Sequence, residues 1–323
     1  MGVIGKIIVG FMPIAPKFLV KRIAGRYVAG SDLESAIDLM KNMSKEDACF
    51  TIDVLGEEIS DIGEARYFVD EYSRVLELIV SNQINANISL KPTALGLLID
   101  KEVALSNIEE IMKKAALNEI FVRLDMEDHR VTQETIDVVL EMQKKGFENI
   151  GTVLQGRLFR TKEDIAEVSN KLGSLADFRI CKGIYLESGD ISYTKYQEIV
   201  DSTNECIDLM LEMGCYTAIA SHDIPIINHS LEKLSDMNMT VDTDSRDNSA
   251  GSRTGKGPGY EFQFLLVVRG NLRRKLASDG HLTRVYVPYG TKWYEYGVRR
   301  IRENPDIAWH VTKTIIMPWT NRR

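Results

Sequence analysis

An alternation repeated eight times constrains this chain most. Short apolar or β-branched runs at 49–55, 86–90, 120–124, 150–154, 178–181, 216–220, 261–267 and 283–287 alternate with longer segments of helical spacing. That order is the signature of parallel strands joined by crossover helices. In the first crossover, Phe68, Tyr72, Val75, Leu76 and Ile79 fall at i, i+4, i+7, i+8 and i+11, so one stripe faces apolar surface. Ser106 with Glu109 has the capping-box pattern for a helix carrying Ile111, Met112 and Ala115, and Gly146 ends the helix that follows Thr132. Eight units of about 30 residues fit a closed α/β fold, a (βα)8 TIM-like barrel, with an open doubly wound sheet as the alternative. Residues 1–45 read as an N-terminal helical arm, with Ser31 as N-cap for a helix carrying Leu33, Ile37 and Met40, and residues 46–323 as the barrel with its C-terminal helix and tail. Residues 242–259, rich in Gly, Ser, Asp and Arg, read as a mobile connection between elements.

Composition excludes several classes of function. Forty basic against 47 acidic side chains leave a net charge of −7, which argues against a sequence-independent nucleic-acid binder. With 44% hydrophobic and 27% charged residues the chain is neither disordered nor fibrous. Cys49, Cys181, Cys206 and Cys215 form no CxxC pair and read as thiols of a reducing compartment. The apolar run between Lys6 and Lys17 is broken by Pro13 and Pro16, and is about half of what a bilayer span needs. The expected location is the cytoplasm. The apolar, cationic ends at 7–16 and 315–323 read first as segments docked on the barrel and second as a peripheral contact with a membrane.

Nucleotide and metal motifs fail on spacing. Gly251, Gly255, Lys256 and Gly257 resemble a phosphate loop, but the glycines are one residue too close and a glycine stands where a hydroxyl is needed. No GxGxxG follows a strand, and His222 and His229 lack partners at metal-ligand spacing. The informative polar residues stand at strand ends, where such barrels carry their chemistry: Lys91, Asp125, Gln155, Arg179 with Lys182, then Ser221, His222 and Asp223. After the last strand, Tyr296, Arg299, Arg300 and Glu303 share one helical face. Paired arginines beside an aromatic make a bidentate clamp for a carboxylate or phosphate.

In this order the motifs resemble the proline dehydrogenase family, flavin-dependent (βα)8 barrels found alone or within the bifunctional proline utilization flavoenzyme. The resemblance rests on Ile88-Ser89-Leu90-Lys91-Pro92, Arg123-Leu124-Asp125-Met126-Glu127, Val153-Leu154-Gln155, Arg179-Ile180-Cys181-Lys182-Gly183-Ile184-Tyr185, Ser221-His222-Asp223, Glu261-Phe262-Gln263, Arg284 through Gly290, and Tyr296-Gly297-Val298-Arg299-Arg300. It implies FAD bound without a Rossmann fold at the carboxyl ends of the strands. Positions matching flavin contacts are Asp125, Met126, Gln155, Arg179, Cys181, Lys182, Gly183, Ser221, His222, Gln263 and Glu303, with Thr194 from a further loop. Arg179 matches the cation at flavin N5 and, with Lys91 and Asp125, forms the catalytic set. Lys91, Asp125, Tyr185, Tyr286, Tyr296, Arg299 and Arg300 match the proline pocket, and Glu57 matches an acid that gates it against a clamp arginine.

The resemblance further implies oxidation of L-proline to 1-pyrroline-5-carboxylate, electron transfer to a quinone or another membrane acceptor, and a separate pyrroline-5-carboxylate dehydrogenase downstream. No general base is evident beyond Asp125 and Lys91. Tyr286 would crowd a 4-hydroxyl, so proline is expected over hydroxyproline. Two positions depart from the family pattern: Asp223 replaces a common asparagine, and Leu186 replaces an aromatic of the bifunctional enzymes. Two other readings stay open. One is a flavin-free barrel with Lys91 or Lys182 as a Schiff-base nucleophile, and the other is a non-catalytic amino-acid-binding barrel.

Overall fold

The computed structural model describes residues 27–46, 48–239 and 259–294. Eight parallel strands close into a barrel in chain order: β1 (Cys49–Val54), β2 (Ala86–Leu90), β3 (Val122–Leu124), β4 (Ile150–Gln155), β5 (Asp177–Cys181), β6 (Tyr216–Ala220), β7 (Gly259–Leu265) and β8 (Thr283–Tyr289). Closure is made by β1 on β8, from Cys49 beside Arg284 to Val54 beside Tyr289, which excludes the open sheet. Around it lie α1 (Leu33–Met43), α2 (Ala65–Ser81), α3 (Lys101–Leu117), α4 (Thr132–Lys144), α5 (Thr161–Leu172), α6 (Tyr196–Glu212), α7 (Ile224–Asp236) and α8 (Gly270–Ser278).

Side-chain alternation along each strand builds two cores. Phe50, Ile52, Ile88, Leu90, Val122, Val285 and Val287 pack outward beneath the helices, and Phe178, Ile180, Phe262 and Phe264 do so on the other side. The intervening positions, among them Thr51, Asp53, Asn87, Ser89, Arg123, Arg179, Glu261, Gln263 and Arg284, are buried and polar. This lumen is therefore a hydrogen-bonded interior with charged residues near its carboxyl-terminal mouth.

Several local expectations change. Helix α1 is capped by Asp32, not Ser31: Asp32 is extended and its carboxylate accepts from the Ser35 amide at 2.9 Å. Ser106 lies inside α3, which is instead capped by Asp100 accepting from Glu102 and Val103 at 3.0 and 3.1 Å. The Ser106–Glu109 spacing matches a cap, but an earlier carboxylate already satisfies the free amides. Strand β7 stops at Leu265 because Val267 (φ 64°) and Arg269 (φ 47°) turn the chain through left-handed conformations. Gly259 opens β7 rather than ending a connection, and residues 240–258 lie outside the described residues.

Other expectations hold. The Phe68–Ile79 stripe is buried, Gly146 follows α4 at φ 94°, and all four cysteines are free thiols. The described end of the arm is tied to the barrel, Ala29 N donating to Pro288 O at 2.8 Å and Gly290 N to Gly30 O at 3.0 Å.

Candidate active site

Six strands deliver one charged cluster to the carboxyl-terminal mouth. From β1 comes Asp53, from just past β2 Lys91, from just past β3 Asp125, from β5 Arg179, from β7 Gln263 and from β8 Tyr286. Lys91 Nζ donates to Asp53 Oδ1 at 2.6 Å and stands 3.6 Å from Asp125 Oδ2 and 3.4 Å from the Tyr286 hydroxyl. Asp125 accepts from Arg179 Nη1 at 2.7 Å and Ser89 Oγ at 2.5 Å on one oxygen, and from the Tyr286 hydroxyl at 2.7 Å on the other. The Arg179 guanidinium lies 5.2 Å from the centre of the Tyr286 ring. Two cations thus face two carboxylates in a buried setting.

That balance sets the protonation states. Burial pushes the Asp53 carboxyl up to about 6 against the attraction of Lys91. Burial also opposes the charges of Lys91 and Asp125, but the neighbours win in both: Asp53, Asp125 and Glu57 hold the amine well above its usual value, and Arg179 and Lys91 hold the Asp125 carboxyl below its own. A Schiff-base lysine needs a neutral amine, so this environment opposes nucleophilic use of Lys91. The lowered Asp125 carboxyl is a weakened proton acceptor. Lys182, the other nucleophile considered, is ion-paired with Asp223 and lies 5.1 Å from the Tyr196 ring centre.

Beside this cluster lie groups fit to hold a cofactor. Arg179 Nη2 and Gln155 Oε1 are buried without a hydrogen-bond partner among the described residues. Gln155 is held at its other end, Nε2 donating to Glu127 O at 2.8 Å. Gly183, at φ 93°, faces the same amide oxygen, and a Cβ there would approach it to 2.6 Å. A buried cation with a free donor, a free amide acceptor and bare backbone beside them fit a polar heteroaromatic ring such as a flavin.

The remaining predicted residues are distributed around this rim. Met126 is buried, Ser221 Oγ accepts from the Asp223 amide at 3.1 Å, and burial pushes the Cys181 thiol up. His222 Nε2 accepts from Leu265 N at 2.9 Å, which places the proton of the neutral ring on Nδ1. Both ends of the Gln263 amide are taken by protein, Arg179 at 2.5 Å and Glu261. Tyr185 is half-buried and its carbonyl accepts from Arg157, while Thr194 is exposed ahead of α6. Leu186 is 96% exposed, so it covers nothing in this structure. Glu57 sits half-buried close enough to support the Lys91 charge. His229 bonds Asp208 at 2.9 Å between α7 and α6, away from the mouth. Tyr296, Arg299, Arg300 and Glu303 lie outside the described residues.

Two carboxylates escaped the reading of strand ends. Asp53 is an acid in the middle of an apolar strand, and that contrast was its available signal. Glu127 accepts from Thr93 N at 3.0 Å and Thr93 Oγ1 at 2.5 Å, and burial pushes it up to about 7. Among the described residues no cluster of His, Cys, Asp and Glu is placed to hold a metal, and no helix is long and apolar enough to cross a membrane.

The family model described as proline dehydrogenase matches residues 36–313. This chain belongs to the proline dehydrogenase family. Proline dehydrogenase 1 of Bacillus subtilis strain 168 is 33% identical over 293 residues, covering 91% of this chain and 90% of the relative. Proline dehydrogenase of Deinococcus radiodurans is 31% identical over 302 residues, with 91% and 90% covered. Among solved structures, proline utilization A of Bdellovibrio bacteriovorus superposes with TM-score 0.76 at 21% identity, over 90% of this chain and 34% of the larger protein. That of Bradyrhizobium japonicum gives 0.70 at 19%, over 90% and 32%. The chain therefore spans about a third of these larger proteins and shares the fold of their matched region. As a member of the proline dehydrogenase family it is an oxidoreductase acting on CH–NH donors.

Proposed function

We propose that the chain catalyses FAD-dependent oxidation of L-proline to 1-pyrroline-5-carboxylate, the first step of proline breakdown toward glutamate. The observation that carries this reading is the Arg179 guanidinium, held by Asp125 and Gln263, with Nη2 buried and free beside the Lys91–Asp125–Tyr286 cluster. FAD, when bound, supplies N5 as acceptor for the hydride from the ring carbon beside nitrogen. Arg179 stabilises the added electron density as a fixed cation. Gln155, the Gly183 backbone and the neighbouring Met126, Cys181, Lys182, Ser221 and His222 hold the cofactor, with Thr194 and Glu303 from flanking segments.

Substrate orientation is the protein's other task, since a hydride moves only to an acceptor held against it. Arg299 and Arg300 grip the carboxylate, Tyr185, Tyr286 and Tyr296 line the ring, and Lys91 with Asp125 close the polar side. Proline must react with its amine neutral, and neither Asp125, held low by its cations, nor Lys91, held charged by its acids, is tuned to take that proton, so it leaves to solvent before the amine is sealed in. Glu57 pairs with a clamp arginine until the substrate carboxylate displaces it. The Tyr286 phenol excludes a 4-hydroxyl and favours proline over hydroxyproline. Electrons pass on to a quinone-type membrane acceptor, reached by peripheral contact of a cytoplasmic protein, and a separate pyrroline-5-carboxylate dehydrogenase consumes the product.

The test is the visible spectrum of purified, FAD-supplemented protein before and after anaerobic L-proline. Flavin bands that bleach support the reading. Bound flavin that stays oxidised rejects proline as donor, and failure to bind flavin rejects the cofactor.

A further inference from the structure

Behind Arg179 a chain of buried groups runs deeper into the barrel. Arg179 Nε donates to Gln263 Oε1 at 2.5 Å, and Gln263 Nε2 donates to Glu261 Oε1. Glu261 is gripped in turn by Arg284, Nε to Oε1 at 2.8 Å and Nη2 to Oε2 at 3.1 Å, and accepts from the Tyr216 hydroxyl at 3.3 Å. Arg284 is itself anchored, Nη1 donating to Phe50 O at 2.8 Å. Arg179, Gln263, Glu261 and Arg284 are all buried. Glu261 and Gln263 are two apart on β7 and so share the inward face, while Arg284 is the register partner of Gln263 on β8.

The chemistry of this chain admits one arrangement. A guanidinium only donates, a carboxylate only accepts, and a primary amide has one end of each kind. Between Arg179 and Glu261 the Gln263 amide can satisfy both neighbours in a single orientation. Flipping it would oppose donor to donor and acceptor to acceptor in a buried site, leaving polar groups unpaired. Glu261 therefore decides which end of Gln263 meets Arg179. With Nε taken by that amide and Nη1 by Asp125, the guanidinium plane is set and Nη2 is the nitrogen left to reach outward.

We infer that Glu261 is a positioning residue for the redox reaction: through the Gln263 amide it fixes the Arg179 guanidinium, and so tunes the bound flavin from a site that the flavin does not touch. This rests on the function proposed above. Wild-type protein is the first control, and if it binds no flavin or is not bleached by L-proline, both readings fall. If it passes, Glu261→Gln is compared with it for flavin reduction potential, rate of anaerobic reduction and KM. The expected result is a more negative potential, reduction slowed by about tenfold, and KM changed by less than about twofold. In an Arg179→Met background, Glu261→Gln should shift the potential no further. An equal shift in both backgrounds, or a wild-type potential in the single variant, would overturn the inference.

The exchange variant Glu261→Gln with Gln263→Glu guards against simple misfolding. It restores an unbroken donor-to-acceptor chain, with the new carboxylate accepting from Arg179 and the new amide donating to that carboxylate while its oxygen keeps one of the two bonds from Arg284. Thermal stability is expected to return toward wild type while the potential stays more negative, because the negative charge now abuts Arg179. Recovery of both stability and potential would assign Glu261 a structural role alone.

Discussion

Lys91, just past the end of β2, and Asp53, inside the neighbouring β1, meet at 2.6 Å with the carboxylate fully buried. The pair makes the charged state of Lys91 a property of the barrel wall rather than of the ligand. It also leaves the Lys91 ammonium 3.6 Å from Asp125, so one cation bridges two acids at the mouth.

Breaking this pair is expected to be costly, since removal of one partner strands a buried charge. Lys91→Met keeps the length but leaves the buried Asp53 carboxylate without its cation and should lower stability by about 3 kcal/mol, at the low end for a buried pair because a carboxyl that burial already pushes up to about 6 can take a proton. Chemical denaturation checks this, and an unchanged unfolding midpoint would contradict it.

Arg179 and Arg300 should fail in different ways. Arg179→Met is expected to make the flavin potential more negative and slow its reduction by about a hundredfold, as for loss of a preorganised charge. Arg300→Met should instead raise KM for proline while leaving the flavin spectrum nearly unchanged. Anaerobic titration with stopped-flow reduction separates the two, and interchangeable phenotypes would reject both assignments.

Glu127 gives a pH signature of defined sign. Folding lifts its pKa from the ordinary glutamate value to about 7, so the folded state binds the proton more tightly than the unfolded chain. Stability contributed by the protonated form is present at low pH and is lost as pH rises from about 4.5 to about 7, by roughly 3 kcal/mol. Glu127→Gln removes this loss while keeping an acceptor for Thr93. Urea unfolding of the two proteins between pH 5 and 8 should therefore diverge, and parallel profiles would refute the buried acid.

Gly183→Ala probes the cofactor cradle. At φ 93° an alanine is strained by about 1–2 kcal/mol, and its methyl would press on the Gln155 amide oxygen. The variant should fold but lose FAD on gel filtration. Full flavin retention would remove Gly183 and Gln155 from the binding site.

How much of this was legible before folding varies by residue. Lys91, Asp125, Gln155 and Lys182 follow directly on apolar runs, and a barrel puts every such position on one rim. Asp53 and Glu261 were harder to assign because each stands inside a strand, where an acid signals only that something inside must pair with it. Glu127 escaped because its partner, Thr93, comes from another strand's loop. Ser106 and Ser31 misled for a local reason: several residues near a helix start can cap it, and backbone geometry selects one.

The sequence alone determined the architecture, since a period of two against a period of 3.6, repeated eight times, leaves few folds that bury every apolar face. It also put Lys91, Asp125, Gln155 and Lys182 at the carboxyl-terminal rim and, through ordered motifs, pointed to the family. Only tertiary structure decided who pairs with whom. Closure of β1 on β8 set the register that brings Tyr286 to Asp125 and Lys91, and the meeting of Arg179 with Glu261 across one amide decided how Gln263 must point. Partner choice depends on distances across the lumen, and hydrophobic periodicity carries no record of those.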